Sequence, residues 1–305
     1  MKAFVLVLTS IFFAPIVSAQ QDTTASAAEK IKILSWNIYM LPGFLGPGKM
    51  LRAEAIGNIL ASSDYDVIVF QEAFHKKTRN IISRLLQPAF PFQSGPSQGQ
   101  SLSLRVNSGL WIVSRYPIKE VHSIIFKAHH GVDALSRKGA LMVTVKVNTQ
   151  SVQIVGTHLQ NGGKEWRREN QCTELFQKLL KKFQEPGVPQ IVCGDFNIDR
   201  HSLEPHYLGM LQTLDANDRG ATDDNIYSCD GLLNDLRKES GNRRDLIDYI
   251  LIRENLAWVD SGDRKVRIFQ HRWHSLHQDL SDHYSLEAVV RFRNSKAVYV
   301  ASSHR

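Results

Sequence analysis

The chain has 305 residues, three cysteines and a formal net charge of +7. Three cysteines are too few for a disulfide-based scaffold. The modest positive charge is compatible with an anionic membrane surface, nucleic acid or phosphorylated substrates, and equally with simple solubility. Cys193 lies in an apolar run and is predicted to be a buried strand residue, whereas Cys172 and Cys229 could pair in an oxidising compartment.

The N-terminus has the pattern of a signal peptide. Lys2 is followed by an apolar run that ends at the small residues of Val17-Ser18-Ala19. The alternative, a membrane anchor, is disfavoured because the run is short for a bilayer and no stop-transfer charges follow it. We therefore predict a signal peptide over residues 1–19, a polar leader over 20–30, and a secreted or periplasmic protein.

Apolar and amphipathic segments then follow in a mixed order. The predicted strands cover 31–35, 67–70, 110–113, 121–126, 140–147, 152–156, 190–193, 246–252 and 285–290. The predicted helices cover 50–60, 78–86 and 165–183. Because several consecutive strands have no helix between them, antiparallel pairing is expected. The order fits two sheets packed face to face with helices outside, in one α/β domain over 31–293 with a tail over 294–305.

Polar residues recur where the predicted apolar strands end. They are Asn37, Glu72, His158, Asp195, Asn197, Asp248, Asp282 and His283. Taken singly, each could be a turn former, a helix cap or a structural histidine. Together they form a complementary set on rigid mounts, which is typical of an active site.

The chemistry of this set matches phosphodiester hydrolysis. Such a reaction uses a hard cation to neutralise charge, and Glu72 and Asn37 can offer oxygen ligands to Mg²⁺. It also needs a base for the attacking water, and His283 backed by Asp248 or Asp282 suits that task near neutral pH. Uncharged donors such as Asn197 can hold the phosphate oxygens.

The order of short motifs adds a family resemblance. WN, QE, GTHLQ, GDFN, DYI and SDHY occur in this order between about Ile31 and Phe292. This series resembles the endonuclease/exonuclease/phosphatase superfamily, which includes DNase I-like enzymes. The resemblance implies a DNase I-like four-layer sandwich, in which two packed mixed β-sheets are flanked by helices.

The resemblance also implies a metal site. Glu72 corresponds to the principal metal ligand and Asn37 assists it. Asp282 corresponds to a neighbouring metal-side or orienting carboxylate. The expected cofactor is Mg²⁺, for which Mn²⁺ or Co²⁺ can substitute.

The remaining residues receive catalytic roles by the same resemblance. His283 corresponds to the general base, and Asp248 orients it. Asp195 corresponds to the residue that positions the attacking water, and Asn197 to a phosphate contact. His158 corresponds to a second histidine that stabilises the phosphate or assists the leaving group.

Four local segments resemble bacterial neutral sphingomyelinases. They are NIYMLP at 37–42, DALSRKG at 133–139, GTHLQ at 156–160 and SDHYSLEA at 281–288. The implied substrate is sphingomyelin, cleaved to ceramide and phosphocholine at a bilayer surface by a peripheral, monomeric enzyme. Within these segments Lys138 and Asp133 are candidate phosphate-side residues, with a surface loop of incidental charges as the alternative.

The segment before the SDH motif appears shorter than the aromatic-tipped hairpin of those enzymes. Its Trp273 and Phe269 are candidate membrane contacts, with burial in the core as the alternative. The rival functions are a secreted DNase I-like nuclease, a lipid-phosphate phosphatase and a catalytically silent binding or toxin subunit. No basic cluster interleaved with aromatic residues supports the nuclease.

Overall fold

The structure is a computed structural model that describes residues 29–96, 107–127, 136–218, 227–237, 241–253 and 259–292. The predicted signal peptide, Asp133 and the predicted tail lie outside these residues. Glu29 and Lys30 already belong to the first strand, so the folded domain begins two residues before the predicted boundary at 31.

The larger sheet has six strands in the order β12, β13, β1, β2, β4, β3. Their bounds are β1 Glu29–Met40, β2 Val67–Ala73, β3 Phe92–Ser94, β4 Trp111–Ser114, β12 Val259–Arg267 and β13 Ser285–Phe292. Only β1 and β2 pair in parallel, and the other neighbours are antiparallel. The WN motif on β1 and the QE motif on β2 therefore lie on neighbouring strands of this sheet.

The smaller sheet has five strands in the order β11, β8, β7, β6, β5. Their bounds are β5 Ile118–Ile125, β6 Gly139–Val147, β7 Gln150–His158, β8 Gln190–Asp195 and β11 Asp248–Arg253. A separate two-stranded ladder joins β9 Cys229–Asp230 to β10 Arg244–Asp245. In the five-stranded sheet, β7 pairs with β8 in parallel, and Asp195 is the register partner of both His158 and Asp248. Three predicted site residues thus stand in one row across three strands.

Helices cover the outer face of each sheet. Their bounds are α1 Lys49–Ala61, α2 Lys76–Leu86, α3 Trp166–Leu175 with a π-helical continuation Phe176–Leu180, and α4 Glu204–Leu214. One apolar core lies between the two sheets. A second lies under α3 and α4, and a third under α1 and α2. The predicted four-layer sandwich is confirmed.

Several elements differ from the prediction. The predicted helix over 165–183 is α-helical only to Leu175 and then widens into the π-helical segment. The strand predicted over 31–35 runs on to Met40, so Asn37 lies inside it rather than after it, at the start of a register irregularity. α4 was missed because Gly209 and the charged and polar positions in it obscure its apolar spacing. β12 was missed because its sequence is rich in charged residues and has no apolar alternation.

The three cysteines are free and buried. Cys172 packs in the core under α3, and Cys229 lies on β9, so the predicted option of pairing these two is not realised. Cys193 is a buried residue of β8, as predicted. In the described part of the chain, none of the helices has both the length and the apolar character needed to cross a membrane.

Candidate active site

The predicted site residues meet at one end of the sandwich. Glu72 lies near the end of β2, and His158 and Asp195 are the last residues of β7 and β8. Glu72 and Asn197 adopt left-handed backbone conformations, with φ of 54° and 52°. Such conformations are costly for residues other than glycine and are concentrated at functional sites. The strand ends therefore turn sharply to present these side chains.

Asp195 is the centre of the side-chain contacts. Its Oδ2 lies 3.2 Å from the amide nitrogen of Asn37, 3.3 Å from His158 Nε2 and 3.8 Å from His283 Nε2. Its Oδ1 accepts a hydrogen bond from the backbone N–H of Asn197 at 2.9 Å. Burial would raise the pKa of Asp195, but His158, His283 and Lys138 lower it below the usual range. Asp195 is therefore ionised at neutral pH.

His283 is held between a carboxylate and a thiol. Its Nδ1 lies 2.9 Å from Asp248 Oδ2, and the pair is buried. Burial would lower the pKa of His283, whereas Cys229 and Asp248 raise it well above its ordinary value. Because burial also raises the pKa of the Cys229 thiol, to about 12, that thiol is uncharged at neutral pH. The charge that favours a proton on His283 is therefore that of Asp248.

Burial raises the pKa of Asp248 as well, against the opposing influence of His283. The two groups then compete for one proton. We assign that proton to His283 Nδ1, since imidazole is the stronger base of the two. Nε2 is the nitrogen that faces Asp195.

His158 and Lys138 form a second buried pair. Lys138 Nζ lies 3.0 Å from His158 Nε2 and donates to the carbonyl of Leu159 at 2.7 Å. Asn197 Nδ2 donates to the same carbonyl at 3.2 Å. An ammonium group only donates, so Nε2 accepts from Lys138 when His158 is neutral and can donate to Asp195 when it is protonated. Lys138, predicted as a phosphate-side residue in the segment before β6, thus lies inside the cluster.

Glu72 has the character of a cation ligand. Its buried Oε2 accepts no hydrogen bond from any residue in the described ranges. Burial raises the pKa of Glu72 against the influence of His158, and the nearby Asp282 raises it further. A buried carboxylate oxygen without a donor is costly unless a cation neutralises it. The donor set, a carboxylate with Asn37 and Asp282 beside it, therefore fits a hard divalent ion such as Mg²⁺.

Similarity to known proteins extends over most of the chain. Residues 34–283 match the endonuclease/exonuclease/phosphatase family. The chain belongs to that family. Its members cleave phosphoester bonds, so the predictions of the family and of an enzyme of this class are confirmed.

Several individual relatives have names that specify one activity within this family. Sphingomyelinase C of Bacillus cereus is 27% identical over 312 residues, covering 90% of this chain and 93% of the relative. Phospholipase C of Staphylococcus aureus is 27% identical over 311 residues with the same coverage. A crystal structure of S. aureus beta toxin with bound magnesium ions has a TM-score of 0.77 and 25% identity, covering 85% of this chain and 99% of that one.

Three supporting residues of this family member were missed by the sequence analysis. The indole N–H of Trp36 donates to the carbonyl of His283 at 2.9 Å. The Ser281 hydroxyl donates to the carbonyl of Asn37 at 2.6 Å. The Ser228 hydroxyl accepts from the backbone N–H of Asp248 at 3.2 Å. Trp36 and Ser281 stand inside the WN and SDH motifs, which could have indicated them, whereas Ser228 and Cys229 had no sequence signal.

A cavity of about 310 Å³ opens beside Asn197. Charged side chains of both signs line it: Arg168, Arg237, Arg243, Glu165, Asp199 and Asp245. Arg237 also approaches Asp282, with 3.8 Å between Nη1 and Oδ2. The cavity therefore adjoins the catalytic cluster, and within its lining Arg168 pairs with Glu165 and Arg243 with Asp245.

The two aromatic residues predicted as membrane contacts are half-buried. Phe269 packs against Trp36, with ring centroids 5.1 Å apart. The indole N–H of Trp273 donates to the carbonyl of Asp279 at 2.9 Å, and its ring stacks on His277. Both residues pack against the core under α1 and α2, which was the alternative considered for them.

Proposed function

We propose that the chain hydrolyses sphingomyelin to ceramide and phosphocholine, using a bound divalent cation and water activated by His283. The observation that carries this proposal is the convergence of His158 and His283 on one oxygen of Asp195, near the buried Glu72 Oε2 that accepts no hydrogen bond within the described part of the chain. The names of the relatives select the lipid among the substrates that such a site can cleave.

In this proposal His283 removes a proton from the attacking water. Asp248 keeps Nδ1 protonated, which leaves Nε2 as the basic nitrogen. The distance of 3.8 Å between Nε2 and Asp195 Oδ2 is too long for a direct hydrogen bond, and in this proposal the attacking water contacts both atoms. Asp195 orients that water, and its proton goes to Nε2 as the water oxygen bonds to phosphorus.

Other side chains hold the phosphate group. Lys138 supplies a positive charge, and Asn197 supplies an uncharged donor at the edge of the cavity. Preorganised donors of this kind stabilise the charge that develops on non-bridging oxygens. His158, when protonated, donates a proton to the ceramide oxygen as the bond between phosphorus and that oxygen breaks.

Glu72 would hold the cation, assisted by Asn37 and Asp282. The ion, when bound, would neutralise negative charge on the phosphate. Mg²⁺ is the ion that the donor oxygens favour, and the same ion is named in the beta toxin structure. Mn²⁺ and Co²⁺ are expected to substitute.

The substrate choice rests on the names of the relatives. The cavity beside Asn197 does not select the substrate, because its arginine and carboxylate side chains pair with one another, Arg168 with Glu165 and Arg243 with Asp245. Export, a monomeric state and peripheral association with the bilayer remain predictions. The signal peptide on which export depends lies outside the described residues.

An assay with three substrates tests the proposal. The protein without residues 1–19 is incubated separately with sphingomyelin vesicles, with vesicles that contain phosphatidic acid and with supercoiled plasmid, each with Mg²⁺ or with EDTA. We expect Mg²⁺-dependent release of phosphocholine and an intact plasmid. Nicked plasmid without phosphocholine would instead assign the site to the nuclease alternative, and release of inorganic phosphate from lipid phosphates would assign it to the phosphatase alternative.

A further inference from the structure

Among the large apolar side chains of the described residues, the one with the greatest fractional exposure lies on the loop of residues 43–48. Phe44 is 94% exposed and the adjacent Leu45 is 51% exposed. Isolated exposed leucines are ordinary in folded proteins, but a fully exposed phenylalanine beside a leucine marks a contact surface. The loop follows β1 closely, so it lies near the strand that carries Asn37.

Two basic side chains fix this loop in place. Lys49 donates to the carbonyls of Leu41, at 3.0 Å, and of Gly43. The buried Arg52 donates to the carbonyl of Pro47 at 3.0 Å. The backbone on both sides of Phe44 is therefore anchored, and its side chain projects outward without local packing.

Arg52 also connects the loop to the catalytic segments. Its guanidinium donates to the carbonyls of Ile38 and Tyr39 at 3.1 and 2.8 Å, directly after Asn37. It further donates to the carbonyl of Leu280 at 2.9 Å, two residues before Asp282. A surface that contacts the loop is thereby held at a fixed position relative to the site.

The hairpin of residues 270–279 packs beside the loop. The ring of Trp273 lies so close to Gly48 that a Cβ there would stand 2.2 Å from it. A side chain larger than that of glycine at position 48 would clash with this ring. The contact also holds the Trp273 ring against the protein rather than toward solvent. At the hairpin tip Leu276 is 77% exposed, and the neighbouring Arg272 is also exposed.

Two lysines at the start of α2 lie near the end of β1, from which the loop of residues 43–48 follows. The exposed Lys76 and Lys77 begin α2, and the backbone N–H of His75 donates to the carbonyl of Met40 at the end of β1. When apolar side chains enter a bilayer, lysines near them can bind the lipid phosphate groups at its surface. A lipid surface therefore suits this face in both apolar and charged contacts.

We infer that Phe44 and Leu45 insert into the bilayer interface and that the loop of residues 43–48 is the membrane-docking element of this chain. Leu276 joins it, whereas Trp273 supports it by packing against Gly48. This inference rests on the proposed lipid substrate. It replaces the predicted insertion of the two aromatic residues with insertion of the loop that Trp273 supports.

The test uses phosphatidylcholine vesicles without sphingomyelin, in EDTA, so that binding is measured without turnover. A Phe44→Trp variant adds one indole to the five native tryptophans. We expect brominated phosphatidylcholine to quench the added emission. A Leu208→Trp variant, at a 55% exposed position on α4, is the matched control and should not be quenched.

Binding strength gives the second readout. Phe44→Ala combined with Leu45→Ala should weaken vesicle binding about tenfold or more, since two apolar side chains lose their burial. Leu208→Ala should leave it unchanged, and circular dichroism should show all variants folded. Absence of vesicle binding by the unmodified protein, or bound vesicles without quenching of the added indole, would overturn the inference.

A second copy of the chain is the competing occupant. Concentration-dependent self-association that Phe44→Ala abolishes would assign the loop to a dimer and overturn the membrane assignment. The outcomes separate this inference from the proposed function. Phosphocholine release without quenching would reject only the assignment of the loop as the membrane-docking element. Quenching without phosphocholine release would reject only the assignment of sphingomyelin as the substrate.

Discussion

Asp248 Oδ2 and His283 Nδ1 lie 2.9 Å apart in a buried pair at the end of the five-stranded sheet. The residues are separated by 35 positions in the chain, yet β11 and the segment before β13 bring them together. The pair fixes the tautomer of the imidazole and directs Nε2 toward Asp195. The proposed water activation depends on this relationship.

Replacing Asp248 by asparagine should change the pH dependence of hydrolysis. The base form of His283 is required, so activity rises with pH as the imidazole loses its proton. Asp248 raises the pKa of His283, and removal of its charge lowers that pKa. The acidic limb of the kcat/KM profile should therefore move to lower pH by roughly one unit or more. The plateau should fall, because Nδ1 loses its carboxylate partner.

Cys229→Ser is the matched control for that experiment, because Cys229 is the other group that contacts His283. Its thiol is uncharged at neutral pH, so the serine variant should leave the acidic limb in place. A limb that moves with Cys229→Ser and not with Asp248→Asn would show that the thiol, rather than the carboxylate, sets the protonation of His283.

Loss of either proposed catalytic group should abolish turnover without unfolding the chain. His283→Ala and Asp195→Ala should each lower kcat on the order of a hundredfold or more. His206→Ala removes a half-buried histidine on α4 that is paired with Glu169, and it should retain activity. Thermal melting of each variant provides the fold control. A folded His283→Ala protein with activity near that of the unmodified chain would refute the assigned base.

Glu72→Gln should separate cation binding from folding. Burial raises the pKa of Glu72, so the ionised carboxylate destabilises the metal-free folded state at neutral pH. A neutral glutamine removes that cost, and Tm in EDTA should rise by about 2–4 °C. Added Mg²⁺ should raise Tm of the unmodified chain and not that of the variant. Equal stabilisation of both proteins by Mg²⁺ would place the cation elsewhere.

Lys138→Met should impair the chemical step rather than the fold. The variant keeps most of the apolar stem but loses the charge beside His158. We expect kcat to fall about tenfold to a hundredfold, with Mg²⁺ affinity retained. Lys146→Met, an exposed position on β6, is the control and should be neutral. An unaltered kcat in Lys138→Met would remove this lysine from the site.

The sequence located most of the cluster because strand ends are recognisable from composition. Buried runs before His158 and Asp195 predict where the chain leaves the sheet, and parallel pairing of β7 with β8 then places both residues at one edge. The two sheets and their outer helices followed from the same apolar pattern. The family resemblance supplied the division of roles.

Other contacts depended on packing between segments distant in the chain. Cys229 approaches His283 only because the short β9 ladder folds beneath it, and nothing in its neighbours indicates that approach. The inward packing of Trp273 depends on Gly48, which precedes it by more than two hundred residues. Such contacts are set by tertiary structure, and local periodicity does not encode them.

The most direct test of the proposed reaction is hydrolysis of sphingomyelin vesicles in water enriched in oxygen-18, followed by mass spectrometry of both products. Attack of water on phosphorus predicts one labelled oxygen in phosphocholine and none in ceramide, with Mg²⁺ required. Label in ceramide, or cleavage that proceeds undiminished in EDTA, would contradict cation-assisted attack on phosphorus by water that His283 activates.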